Sequence, residues 1–152
     1  MSDDQDLKPL LDARQNHLSI GFDESNAIDT KAIALSGFGV AILIFAAQSS
    51  LKIHGWWLGG LMVGSLIISV VLGILIVGPW PAWDYVGAAV NLADHPEYLE
   101  MDAESLVLQL LADTELAIEK NQATNRLRWR ILAASFAFWF VGVFALFVIM
   151  NT

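Results

Sequence analysis

The sequence predicts an all-α membrane protein with three transmembrane helices and a helical cytosolic stalk, the stalk formed by the N-terminal arm and a long helix continuous with the third span. Three observations carry this. The 152 residues are 56% hydrophobic and contain no cysteine, and their mean hydropathy is +0.56, well above an ordinary soluble domain. Three stretches are uncharged, Ala32 to Leu51, Ile53 to Trp83 and Ile131 to Thr152, and each supplies the roughly 20 apolar residues needed to cross about 30 Å of hydrocarbon. The basic residues, finally, gather on the segments of one side.

Residues 1–31 form a cytosolic amphipathic arm. Asp3, Asp4, Asp6 and Asp12 make its start acidic, unlike a signal or transit leader, so no cleavage is expected. Leu11, Leu18, Phe22, Ser25 and Ile28 give it a thin apolar stripe at helical spacing, and it is expected to run into the first span, 32–51. The second span, 56–78, ends at Pro79 and Pro81, because proline lacks an amide donor and restricts the residue before it. Residues 79–130 form a cytosolic connector and stalk helix. Asp102 is a candidate N-cap with Glu104 in the first turn, and Val107, Leu110, Leu111, Thr114, Ala117 and Ile118 repeat at the three-and-four spacing of an amphipathic helix. No Gly or Pro separates this helix from the third span, 131–150. One rod from about Ala103 to Met150 is therefore expected, roughly 70 Å long, with its first half in the cytosol.

Orientation follows from cations. Lys8, Arg14, Lys31, Lys120, Arg126, Arg128 and Arg130 lie on the arm and long connector, whereas Lys52 alone lies on the short one. The larger set marks the cytoplasmic side, placing the N-terminus inside and the C-terminus in the periplasm. The interface anchors are Arg130, Trp56, Trp57, Trp80, Trp83 and Trp129, since amphipathic rings and snorkelling guanidinium groups settle at head-group depth. All 16 Asp and Glu share the cytosolic segments and the net charge is -8, which argues against general binding to nucleic acid.

Catalytic signals are missing. His17, His54 and His95 are dispersed, no phosphate loop or Gly-x-Ser-x-Gly occurs, and the span serines, Ser36, Ser65, Ser69 and Ser135, are expected to bond back to their own helix carbonyls. No enzyme, metal site or cofactor is expected. Small-residue pairs Gly37/Ala41, Gly60/Gly64 and Ala133/Ala137 let helices approach closely, either within one three-helix unit or between copies. Asp29 and Lys31, just before the first span, form an interfacial ion pair, solvated head groups or a charged ring at a pore mouth.

The stretches "FDESNAIDTKAIALSGFGVAIL" (22–43), with Asp29, Lys31 and Ala32, and "HPEYLEMDAESLVLQLLADTELAIEKNQATNRLRWRILAASFAFWFVGV" (95–143), with its Ala-Ile-x-x-Asn at 117–121, resemble the transmembrane effectors of Pycsar antiphage systems and, more loosely, SLATT-type membrane effectors. The resemblance covers nearly the whole chain. It implies a bacterial inner-membrane, homo-oligomeric effector that answers a cyclic nucleotide and impairs the membrane. Two features depart from that pattern: no cyclic-nucleotide-binding domain fits the cytosolic segments, and the loop after the second span is short. A nucleotide would then meet Lys120, Arg126 and Arg128, the stalk's only clustered cations, between subunits; lipid anchoring competes for the same arginines. The contrasting expectation is a non-conducting scaffold whose acidic stalk recruits a protein partner.

Overall fold

The computed structural model describes residues 4–48, 56–78, 98 and 100–151. Three α-helices account for nearly all of them: α1, Asp4–Gln48; α2, Trp56–Val77; and α3, Ala103–Asn151. All three are long and apolar enough to cross a membrane. Neither α1 nor α3 is interrupted where its sequence changes from polar to apolar, because no breaker stands there to interrupt it. The start of α3 is capped as its sequence suggests. Leu106 N–H donates to the Asp102 carbonyl at 3.0 Å, and a hydrogen bond with the Ser105 side chain, followed by backbone amides of the first turn, holds the Asp102 carboxyl below its usual range.

The chain divides into two units, Met1–Ser25 with Pro81–Arg126, and Asn26–Trp80 with Leu127–Thr152. In the first, the N-terminal part of α1 runs alongside the first half of α3 in the same direction. Leu18, Ala117 and Ile118 are buried together, with Phe22 packed against them. Arg14 pairs with Glu115 at 3.3 Å, an exposed pair that contributes little to stability. Tyr98 is also buried. Its hydroxyl donates to Asp113 Oδ2 at 2.5 Å while Gln109 Nε2 donates to Oδ1 at 3.2 Å, so both carboxylate oxygens are occupied.

In the second unit, α2 runs antiparallel to the apolar parts of α1 and α3. Ile28, Ala32, Leu35, Ile76 and Leu132 form one core cluster, and Met62, Leu66, Ala145 and Ile149 another. Trp139 packs against both clusters.

The inward faces keep one register. On α2 the buried residues include Gly59, Met62, Leu66, Ser69, Gly73 and Ile76, steps of three and four in alternation. The same steps link Ile28, Ala32, Leu35 and Gly39 on α1, and Arg128, Leu132 and Ser135 on α3. Alternating steps of three and four average 3.5 residues, the repeat that keeps one face of a helix on its neighbours along its length.

Close approach is made by glycines other than those expected. A Cβ on Gly39 would lie 2.9 Å from Val70 Cγ2, one on Gly142 would lie 2.6 Å from Leu66 Cγ, and one on Gly73 would strike Ser36 Oγ. Each helix thus contributes a glycine where a neighbour leaves no room for a side chain. Nothing lies within 4 Å of a Cβ built on Gly37, Gly60 or Gly64; Gly37, Ala41, Gly60, Ala133 and Ala137 are exposed and Gly64 is partly so. Packing within one three-helix unit, one of the two expected uses of these pairs, is therefore not theirs. Small residues lower the cost of approach only on a face that meets another helix, and these faces point away from the chain's own core.

Candidate functional site

The inward register is not uniformly apolar, and the polar residues in it define the site. In the first unit, Asn121 and Asn125 are each 2% exposed, and Ser25 and Thr114 are buried with them. Asn125 Nδ2 donates to the Gly21 carbonyl at 3.0 Å and to Glu24 Oε2 at 3.3 Å, while Thr114 donates to the Leu110 carbonyl of its own helix at 2.7 Å. A buried amide that finds partners across the seam favours one register, because sliding the helices would strand its donors. Beside this layer lies a cavity of about 50 Å³ lined by His17, Glu24, Asn121 and Gln122, among others.

In the second unit the polar residue is Arg128, 3% exposed. Such a burial is tolerated only when the guanidinium is paired and hydrogen-bonded. Two other helices supply this: Arg128 Nη2 pairs with Asp29 Oδ1 of α1 and donates to the Ile76 carbonyl of α2 at 3.1 Å. Gly78 N–H donates to the Ile74 carbonyl at 2.9 Å, and α2 ends at Val77, so Ile76 belongs to the last turn, whose carbonyls have no amide further along the helix. A cation there satisfies such a carbonyl and also meets the negative end of the helix dipole. Arg128 therefore joins α1, α2 and α3 through one side chain.

Further along the same seam, Ser135 Oγ donates to the Ser69 carbonyl at 2.9 Å and lies 3.1 Å from Ser69 Oγ. With the Ser135 proton committed to the carbonyl, Ser69 is the donor in the hydroxyl pair. Bonding of these serines back to their own helices, as expected from sequence, is replaced by bonding between α2 and α3, because both hydroxyls face the seam at the same level. Ser36 also departs from that expectation. Its Oγ has no hydrogen-bond partner among the described residues and abuts Gly73, where the Ala32 carbonyl would also lie 3.2 Å from a Cβ. Glycine Cα–H groups make weak contacts with such oxygens at helix crossings.

The residues expected to meet a phosphate are thereby sorted. Lys120 and Arg126, in the first unit, are exposed, whereas Arg128, in the second, is buried against Asp29 and Ile76. Two residues apart on a helix means about 200° apart around it, so Arg126 and Arg128 cannot share one face. The ion pair between Asp29 and Lys31, one of the three readings of these residues, does not form. Asp29 serves Arg128, and Lys31 Nζ lies 4.5 Å from the Trp129 ring centroid. Arg130 is exposed, Trp57 is exposed and Trp56 is 89% exposed. Trp80 and Trp83, like His54 and His95, lie outside the described residues.

Ser25 and Thr114 lie in the stripes read from the sequence, but the stripe on α3 was followed no further than Ile118, so Asn121, Asn125 and the inward place of Arg128 were missed. Continuing the alternating steps of three and four through polar positions, from Thr114 to Ile118, Asn121, Asn125, Arg128, Leu132 and Ser135, would have found them.

No family model, no curated protein and no solved structure matches the chain. Fold and site together define a class: an all-helical chain with three helices long and apolar enough to span a membrane, carrying buried polar layers in a heptad seam.

Proposed function

We propose that the chain is a multi-pass protein of the bacterial inner membrane, its N-terminus cytoplasmic and its C-terminus periplasmic, that acts as the effector of a nucleotide-signalling antiphage system by assembling into homo-oligomers and impairing the membrane. The observation that carries this reading is the contrast between inward and outward faces of the apolar helices. Inward positions are filled by packed side chains and closed polar pairs, so a path for ions would need several copies. Outward positions hold the small pairs Gly37/Ala41, Gly60/Gly64 and Ala133/Ala137 and exposed Phe140, Phe144 and Phe147, surfaces suited to lipid and to another copy.

Among the described residues the polar cavity of the first unit is too small for a cyclic nucleotide, and the larger cavity between α2 and α3 is lined by apolar side chains, so we place the nucleotide between copies. The cavity beside Asn121, about 50 Å³, is far below the roughly 300 Å³ at which small-molecule sites begin. A non-conducting scaffold has one observation in its favour, since Leu108 and Leu116 are exposed on α3 outside the uncharged stretch and offer an apolar stripe to a protein partner. Induced expression in bacterial cells, followed with a potential-sensitive dye, separates the readings. The effector depolarises the membrane and stops growth, alone or when a cyclic nucleotide is supplied. Undisturbed potential and growth under both conditions would leave the scaffold.

A further inference from the structure

The structure also divides the cations of the second unit by what they face. Arg128 is taken up by Asp29 and the Ile76 carbonyl. Lys31 and Arg130 are exposed, and among the described residues no carboxylate forms an ion pair with either. Lys31 is the last charged residue before the uncharged part of α1, and Arg130 the last before the uncharged part of α3. They stand at one level, because Asp29 meets Arg128 and Lys31 lies over Trp129. Trp129 is half-buried and so gives the Lys31 ammonium a fixed ring face to rest on. With Asp29 neutralised by Arg128, the surface around Trp129 carries two positive charges that the unit itself leaves unbalanced.

We propose that Lys31, Trp129 and Arg130 bind the phosphate group of an anionic phospholipid. This rests on the membrane reading above, since only in a bilayer does the boundary of the uncharged segments coincide with head-group depth. Charge complementarity selects the ligand. The two cations suit a phosphate oxyanion, the ring prefers the interface, and apolar surface begins within two residues along each helix, at exposed Ile33 and part-exposed Ile131, where the lipid tails would start. A zwitterionic lipid offers the same phosphate with a compensating ammonium and gains much less. A soluble phosphoester has the phosphate but no tail to place beside the apolar helices.

The test uses the full chain in a non-ionic detergent, native mass spectrometry, and equal amounts of phosphatidylglycerol and phosphatidylcholine with identical tails. The wild type should retain phosphatidylglycerol in preference, with each cation contributing about fivefold. Lys31→Gln with Arg130→Gln should bring the two lipids to parity, whereas Lys31→Arg with Arg130→Lys, which keeps both charges, should preserve the preference. Added inorganic phosphate should not displace the lipid. Equal retention by the wild type, an unchanged preference in the glutamine variant, or displacement by inorganic phosphate would each overturn the site while leaving the membrane reading intact. A chain that stays dissolved without detergent and retains neither lipid would remove both.

Discussion

Arg128 shows how much one side chain can decide. The same residue type recurs at 126, 128 and 130, and a reading by charge alone treats the three as one cluster. Helical geometry separates them: 126 and 130 are exposed and 128 is buried, so two are available to lipid or ligand while the third holds the end of α2 and pairs with Asp29. Removing one partner of a buried pair strands the other and costs more than the pair itself contributes. Arg128→Ala should therefore destabilise the fold by about 3 kcal/mol, towards the low end for buried pairs because Asp29 remains one-third exposed and can be solvated. Arg126→Ala and Arg130→Ala should each change stability by no more than about 0.5 kcal/mol. Denaturation in mixed micelles, followed by circular dichroism, reads all three; equal effects would show that Arg128 does not join the helices.

At the scale of the helices, the sequence was most legible where charge and hydropathy change together. The C-terminal end of α2 lies just before Pro79 and the start of α3 coincides with the Asp102 cap, and the apolar stripes of α1 and α3 are buried or half-buried in their first halves. The close contacts were not legible, because a small-residue pair records that two helices could approach and not which pair does. Gly39 and Gly142 stand without a small partner four residues away, and Gly73 has only Ser69, a pair passed over in the sequence, yet these three glycines take the contacts. The physical reason is register: a glycine is needed where the alternating steps bring a neighbour's bulky side chain or backbone oxygen against the helix, as Leu66 and the Met62 carbonyl meet Gly142. Gly142→Leu should force that crossing apart and cost roughly 1–3 kcal/mol or more. Gly60→Leu, where a Cβ meets open space, should leave the single chain's stability within about 0.5 kcal/mol while weakening self-association if that face meets another copy. Thermal unfolding together with oligomer size in detergent measures both; a destabilised Gly60→Leu monomer beside an unaffected Gly142→Leu would reverse this assignment of faces.

For the whole molecule, three helices of sufficient length and apolarity and the distribution of the basic residues were legible at once, because both depend on composition over long windows. The buried layers of Asn121, Asn125, Arg128, Ser69 and Ser135 were not, since a polar residue in an apolar seam is decided by its partners on other helices. The wider functional reading depends on the chain crossing a bilayer three times with both polar segments on the cytoplasmic side. The absence of native cysteine permits a direct measurement: introduce one cysteine at a time and label intact cells with a membrane-impermeant maleimide. Asn151→Cys should react from outside, Val71→Cys should stay unlabelled, and Asp23→Cys and Glu119→Cys should react only after the inner membrane is permeabilised. Labelling of Glu119→Cys in intact cells, or protection of Asn151→Cys there with reaction only on permeabilisation, would contradict the account.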